Sequence, residues 1–174
     1  MKNIVFYVSL LIYFFYSCFE IHSQSYCDQD SIKYLIAYNY IINDSVNQKN
    51  KIIVCDSIVD LDRYWFSEDL KYFPEEQNKL NQYRKNKNFI WSSPFYSPCL
   101  VSLFGRQNKM AEKVIFFSTI EDNMLLADLL SCTKKTDIYN YEKMASFTEG
   151  RVYLFVFCKN NTLKAAFSRE MIYD

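Results

Sequence analysis

VYLFVFCKNNTLKAAFSRE, residues 152–170, contains the clearest strand pair in the chain. Val152 to Cys158 is apolar at nearly every position, which indicates a strand covered on both faces. Asn160 and Asn161 follow, and asparagine tolerates the positive φ that a two-residue hairpin turn requires. The next segment alternates in polarity, as a half-buried strand does, with Leu163, Ala165 and Phe167 set against Lys164, Ser168 and Glu170. These residues predict an antiparallel hairpin whose first strand lies inside a sheet.

Hydrophobic periodicity and capping residues predict four helices and three further strands outside this hairpin. The helices are expected at residues 28–43, 74–86, 122–130 and 136–147. The strands are expected at residues 51–61, 100–104 and 113–119. In the first helix Ile32, Leu35, Ile36 and Ile42 recur near the helical period and form an apolar stripe, which Tyr34, Tyr38 and Ile41 widen. Gly150 is placed to end the last helix in a left-handed conformation.

The order of these elements favours an α+β fold, with a mostly antiparallel sheet packed by helices on one face. An NTF2-like cone has a similar plan of a helix followed by a curved sheet, by analogy only. Half of the 174 residues are hydrophobic and 18% are aromatic, which is enough apolar surface for a folded core. No repeat or linker divides the chain, so one domain is expected.

The first 23 residues have the organisation of a secretory signal peptide. Lys2 precedes an apolar run from Ile4 to Tyr16. This run is too short for a membrane span of about 20 residues and suits a secretory segment of roughly 7 to 15. Ser23 is a small residue that suits signal peptidase. We therefore expect residues 1–23 to be a signal peptide and residues 24–174 to be one exported α+β domain, placing the protein in the periplasm, on the envelope or outside the cell.

Two alternatives to simple cleavage stay open. The residues before Cys18 resemble a degraded bacterial lipobox, which would leave a lipid anchor at Cys18, although Phe15 and Tyr16 are bulkier than lipoproteins prefer. An uncleaved anchor is the other alternative, and the short apolar run and Glu20 disfavour it. Removing residues 1–23 removes one basic and one acidic side chain, so the net charge stays at zero.

Missing residue types exclude several classes of enzyme. His22 is the only histidine and lies inside the expected signal peptide. Without histidine, a Ser-His-Asp or Cys-His nucleophile, an H-E-x-x-H protease and a facial-triad oxygenase each lack a necessary residue. Gly105 and Gly150 are the only glycines, too few for a dinucleotide fingerprint or a P-loop. We therefore expect no cofactor, no metal and, from the zero net charge, no nucleic acid partner.

Five cysteines follow the expected signal peptide, and none lies close to another. Paired thiols two to four residues apart, which zinc knuckles and thioredoxin-type sites need, are absent. An exported protein can form disulfides, but the pairing stays open among Cys27, Cys55, Cys99, Cys132 and Cys158. Cys55 and Cys158 lie in apolar runs, where cysteine usually acts as a small buried hydrophobe.

Aromatic side chains offer a candidate binding surface. Tyr64 and Trp65 lie in one aromatic segment, and Trp91 and Tyr96 in another. Tyrosine and tryptophan are frequent in interface hot spots and stack on sugars, but they also fill cores. A local group of acids is the alternative, with Asp56, Asp60, Asp62, Glu68 and Asp69. Paired carboxylates can hydrolyse glycosides, but Arg63 directly follows Asp62 and is placed to neutralise either Asp60 or Asp62.

These observations predict a small exported protein that works by binding and has no catalytic centre. Another protein is the expected partner, and a carbohydrate is the second choice. The alternative is a carboxylate-dependent hydrolase that uses the acids above.

Overall fold

The computed structural model describes residues 30–86, 94–105, 111–132, 140–146 and 148–173. The expected signal peptide, Cys18, His22, Cys27 and Trp91 lie outside the described residues.

Six strands form one sheet, with the order β2-β1-β3-β4-β5-β6 across it. The strands are β1 Ile52–Ile58, β2 Phe95–Tyr96, β3 Lys113–Phe117, β4 Met124–Ser131, β5 Glu149–Phe157 and β6 Leu163–Ile172. β1 and β3 are parallel, and every other neighbouring pair is antiparallel. The predicted α+β fold with a mostly antiparallel sheet is confirmed, and it needs no analogy to the NTF2-like cone.

Four α-helices and two short 3-10 helices pack on this sheet within the described residues. The α-helices are α1 (residues 30–43), α2 Pro74–Asn86, α3 Pro98–Phe104 and α4 Tyr141–Ala145. The 3-10 helices are Arg63–Phe66 and Asp69–Tyr72.

The sheet buries both of its faces, because successive side chains of β3, β4 and β5 point to opposite sides and nearly all are apolar. One face, here called the α1 face, packs against α1 and α3 through residues such as Ile115, Leu125 and Phe155. The opposite face, here called the α2 face, packs against α2, α4 and the two 3-10 helices. The expectation that helices cover only one face is therefore corrected.

The β5–β6 hairpin forms as predicted. β5 pairs with β4 on one side and β6 on the other. Asn161 in the turn has φ 64°, the positive value expected of an asparagine there. The helix expected at residues 74–86 is also confirmed as α2, which begins at Pro74 with Glu75 and Glu76 in its first turn.

The helix expected at residues 122–130 is wrong, and β4 occupies these residues. Asp122 and Asn123 have φ 54° and 61°, so they form a two-residue hairpin turn and do not cap a helix. Met124 and Glu121 exchange backbone hydrogen bonds of 2.8 and 3.1 Å across this turn. A continuous apolar run has no period, so the sequence did not separate a buried strand from a buried helix.

The strand expected at residues 100–104 is also wrong, because these residues belong to α3. Pro98 lies at the first turn of α3, and the Ser97 hydroxyl accepts a hydrogen bond from the backbone N–H of Leu100. Gly105, at the end of α3, has φ 72°. Gly150 was expected to end the last helix, but it lies within β5. The last helix, α4, is capped at its amino-terminal end by the Asn140 side chain.

Candidate binding surface

α1 is held against the sheet by one buried side. Tyr34, Ala37 and Ile41 are fully buried against the α1 face. The Tyr34 hydroxyl donates a 3.1 Å hydrogen bond to the carbonyl of Ser118. Beyond the helix end, buried Asn47 donates to the Tyr153 hydroxyl at 2.9 Å. These contacts fix both ends of α1 on the sheet.

α1 also carries apolar side chains that remain accessible. Ile32, Leu35 and Tyr40 are 49%, 38% and 43% exposed. Of the apolar residues expected in the stripe, Tyr34 and Ile41 face the sheet, whereas Ile32 and Leu35 are exposed. At about 100° per residue, Ile32 and Leu35 are neighbours on the helix surface, whereas Tyr40 lies roughly 140° around the helix from Leu35.

Tyr40 lines a groove between α1 and β6, here called the α1–β6 groove. A cavity of 560 Å³ in this groove is lined by Ile36, Asn39, Tyr40, Asn43, Asp44 and Leu163. The Tyr40 ring packs edge-on against Phe155 of β5, with the ring centroids 5.5 Å apart. Phe155 pairs with Ala166 of β6, so the Tyr40 ring lies close to the β5–β6 pair.

A second cavity of 390 Å³ lies at the other end of β6 and has a charged lining. Lys113, Glu149, Arg151 and Glu170 contribute two charges of each sign. The Lys113 ammonium donates to the Asn47 side-chain oxygen at 3.1 Å, and Arg151 forms an ion pair with Glu170. Both cations therefore have partners within the protein, and this cavity has no excess charge to select an anion.

The aromatic residues singled out from the sequence are only partly accessible. Tyr64 in the first 3-10 helix and Tyr96 in β2 are each about half exposed, as is Phe95 beside Tyr96. Trp65 instead packs against the core of the α2 face, with its ring edge-on to Tyr173 at 6.4 Å. Trp91 lies outside the described residues, so the surface predicted from these four residues stays a prediction.

The five acidic residues considered for a hydrolase do not form one site, and four of them make separate contacts within the fold. The Asp62 carboxylate accepts a 2.8 Å hydrogen bond from the N–H of Tyr64 and caps the first 3-10 helix. The Asp69 carboxylate pairs with Arg169 of β6 at 2.8 Å. Asp60 accepts a 3.4 Å hydrogen bond from the Tyr83 hydroxyl. Asp56 accepts from Ser57, and Glu68 is exposed. Neither of the two cavities above is lined by any of the five.

A buried carboxylate that the sequence analysis did not single out lies in the middle of β4. Asp128 is fully buried on the α2 face, and its Oδ2 accepts hydrogen bonds from Tyr141 at 2.8 Å and Tyr173 at 2.6 Å. Burial raises the pKa of Asp128 to about 7, although the two hydroxyl donors lower it. Burial and the Asp128 charge raise the pKa of both tyrosines, so both remain donors. The only signal in the sequence is one acid within a run of apolar residues.

The four described cysteines, Cys55, Cys99, Cys132 and Cys158, form no disulfide with one another. Cys55 is buried, as expected, whereas Cys158 is partly accessible. Burial raises the pKa of the Cys55 and Cys132 thiols to about 11. These two thiols are therefore protonated near neutral pH and are poor nucleophiles.

The described residues have neither a cluster of metal-ligating side chains nor a helix that could span a membrane. They contain no group of three or more histidine, cysteine, aspartate or glutamate side chains arranged to hold a metal ion. Across the same residues, no helix has the length and apolar character needed to span a bilayer.

Comparison with known proteins gives no relative for this chain. No protein-family model matches the sequence, and neither a curated protein nor a solved structure is significantly similar to it.

Proposed function

We propose that this chain is a small exported protein without a catalytic centre, and that it works by binding another protein through the α1–β6 groove. The observations that carry this proposal are the 560 Å³ cavity, which has Tyr40 in its lining, and the exposed aliphatic side chains of Ile32 and Leu35 on the same helix. Exposed apolar side chains grouped along one helix, next to a concave surface, are typical of protein-binding sites.

A protein partner is favoured by the chemistry of these side chains. Ile32 and Leu35 offer aliphatic surface without a hydrogen-bonding group, which gains free energy by contact with other apolar side chains. Asn39, Asn43 and Asp44 form a polar border beside Tyr40 in the groove. An apolar centre with a polar rim is the usual anatomy of a protein–protein interface.

A carbohydrate ligand is the second candidate, and one observation favours it. Tyr40 lines the same cavity as two asparagine amides and the Asp44 carboxylate. An aromatic ring beside amide and carboxylate groups can stack on a sugar and bond its hydroxyls. The hydrolase alternative has less support, because four of the five acids considered for it already hold hydrogen bonds or ion pairs within the fold.

The test is capture of partners from an envelope extract by the immobilised chain. We expect the double variant Ile32→Glu, Tyr40→Glu to lose at least about 90% of a specific protein band, because carboxylates would replace apolar contacts in the groove and beside it. The matched control is Tyr72→Glu, which changes an exposed apolar residue on the second 3-10 helix. Equal capture by the double variant and the wild type contradicts the proposed surface. Specific retention on a glycan array, lost in Tyr40→Ala, would favour the carbohydrate.

Export is tested separately. We expect the chain recovered from the periplasm or medium of an expressing cell to begin at Gln24, as shown by intact mass and amino-terminal sequencing. A lipid-modified Cys18 at the amino terminus would favour the lipobox alternative. A cytoplasmic product that retains Met1 would contradict export.

A further inference from the structure

The amino-terminal end of α1 lies against α3. Ser31, in the first turn of α1, has its hydroxyl oxygen 3.6 Å from the sulfur of Cys99 in α3. Both helices pack on the α1 face of the sheet, where Tyr34 and Leu100 are buried. The Tyr34 hydroxyl also bonds to the carbonyl of Ser118. The contact between Ser31 and Cys99 therefore joins two helices that the sheet already holds in place.

A second cysteine lies close to this contact along the chain. Cys27 precedes Ser31 by four residues, and four residues of extended chain span at most about 14 Å. A disulfide needs Cα atoms about 4.4 to 6.8 Å apart. Because the Ser31 side chain already touches Cys99, the chain between Cys27 and Ser31 is long enough to bring the two cysteines to that distance.

The other described cysteines are less suitable partners for Cys27. Cys55 and Cys132 pack with the core of the α2 face, so the sheet separates them from α1. Burial raises the pKa of both thiols to about 11, which leaves little thiolate to react. Cys158 follows β5, three strand spacings or about 14 Å from β1, on which α3 packs. Among the described cysteines, Cys99 is the one that packs on the α1 face and contacts α1.

We propose that Cys27 and Cys99 form a disulfide that joins the amino-terminal end of α1 to α3 when the chain enters an oxidising compartment. The proposal rests on the export part of the proposed function, because disulfides form and persist in such compartments. It does not depend on the protein partner or on the α1–β6 groove.

The bond forms by exchange with an oxidised carrier, which is a dithiol oxidase in the cell or glutathione disulfide in a test tube. One thiolate of the chain attacks the carrier disulfide, forms a mixed disulfide and releases one carrier thiolate. The second thiolate of the chain then attacks the mixed disulfide, so the bond between Cys27 and Cys99 forms and the second carrier thiolate leaves. The carrier takes up the two electrons, and the two protons lost by the chain protonate its thiolates.

Peptide mapping tests the pairing. The reduced full chain is folded, incubated with a mixture of reduced and oxidised glutathione, quenched with acid and digested without reductant. We expect the main cross-linked product to join the peptides that contain Cys27 and Cys99. Recovery of Cys27 as a thiol or a glutathione adduct, or joined to any other cysteine, overturns the proposal.

This experiment separates the disulfide from the proposed function, because the purified chain meets glutathione whether or not a cell exports it. A bond that forms in buffer supports the pairing even if the expressed chain stays in the cytoplasm, and that location would contradict only export. An exported chain that captures a protein but lacks the bond would contradict only the pairing.

Alkylation of Cys27 tests the role of Cys99. After oxidation, labelling of Cys27 should be at least about tenfold lower in the wild type than in Cys99→Ser, since a disulfide sulfur is not alkylated. Cys132→Ser is the matched control, because Cys132 is also partly buried but lies on the opposite face. Equal labelling of Cys27 in the wild type and Cys99→Ser overturns the proposal.

Urea unfolding of the oxidised and reduced chains tests the geometry. A disulfide between positions 27 and 99 closes a long loop and restricts the unfolded chain. The unfolding equilibrium constant of the oxidised wild type should therefore be lower than that of the reduced wild type by about 30-fold or more. Cys99→Ser should give equal constants in the two states. Equal constants for the wild type would mean that the bond strains the fold, which contradicts the proposed adjacency of Cys27 and Cys99.

Discussion

The hydroxyl of Tyr173, one residue beyond β6, donates a 2.6 Å hydrogen bond to Oδ2 of Asp128 in the middle of β4. Tyr141 of α4 donates to the same oxygen, so Asp128 links α4 and the end of the last strand to the sheet. The other carboxyl oxygen, Oδ1, is buried and has no hydrogen-bond partner within the described residues. An unsatisfied buried oxygen disfavours the charged carboxylate, and this agrees with the raised pKa.

Asp128 is expected to make stability fall as the pH rises toward neutrality. Its folded-state pKa is about 7, against a model value of 3.8, so between these values the folded chain holds a proton that the unfolded chain has lost. The stabilisation is fully present below about pH 3.8 and is lost as the pH rises through about 7, at up to about 1.4 kcal/mol per pH unit. Asp128→Asn should remove this slope.

Urea unfolding between pH 5 and pH 8 measures this pH dependence of the free energy of unfolding. Asp122→Asn, in the exposed β3–β4 turn, is the control. The free energy of unfolding of Asp128→Asn should rise relative to that of the wild type as the pH increases. Parallel curves for the two proteins would mean that Asp128 titrates alike in the folded and unfolded chains.

The tyrosine donors should matter more when Asp128 is ionised. Tyr173→Phe removes one of its two hydrogen bonds and should lower the free energy of unfolding by about 1–3 kcal/mol. The loss should be larger at pH 8 than at pH 5, because a hydrogen bond to a carboxylate is stronger than one to a neutral carboxyl. Equal losses at the two pH values would contradict this assignment.

The sequence predicted some elements of this fold correctly and others wrongly. The β5–β6 hairpin and α2 could be predicted, because alternation, turn residues and an initial proline are local signals. β4 could not, since MLLADLL is buried on both faces and buried strands and helices then look alike. The groove was missed for a related reason: α1 has apolar residues on two sides, and only the tertiary structure shows that Tyr34 faces the core while Ile32 does not.

Gly150 is expected to be required for steric reasons. A Cβ at this position would lie 2.7 Å from Cδ2 of Leu130 and 3.3 Å from Oδ1 of Asp128. Gly150→Ala should therefore lower the free energy of unfolding by about 1–3 kcal/mol through overpacking. In a double-mutant cycle Leu130→Ala should offset part of this loss, because it removes the closest atom.

Gly105 is the control, since a Cβ there has no neighbour within 4 Å but its φ is 72°. Gly105→Ala should cost about 1–3 kcal/mol through backbone strain alone. Leu130→Ala should not offset that loss. Similar coupling of Leu130 to both glycines would contradict the steric explanation for Gly150.

Substitution of Glu121 should lower the free energy of unfolding more than substitution of its ion-pair partner Arg63. The Arg63 side chain is 3% exposed, whereas that of Glu121 is 51% exposed, and their charged groups are 3.0 Å apart. The Arg63 guanidinium also lies 5.2 Å from the centroid of the Tyr83 ring. Glu121→Gln leaves a buried cation without its counter-ion and should cost about 1–3 kcal/mol. Arg63→Met removes the buried charge and keeps most of the volume, while Glu121 stays solvated, so it should change stability by less than about 1 kcal/mol.

Urea unfolding of both single variants and the double variant tests this asymmetry. The double variant should resemble Arg63→Met, because the glutamate matters only while the buried guanidinium is present. The sequence places Asp62 directly before Arg63, but Arg63 forms its ion pair with Glu121, beside the β3–β4 turn, and Asp62 caps the first 3-10 helix. If Arg63→Met proves more destabilising than Glu121→Gln, the guanidinium contributes mainly through its packing on Tyr83 and not through the ion pair.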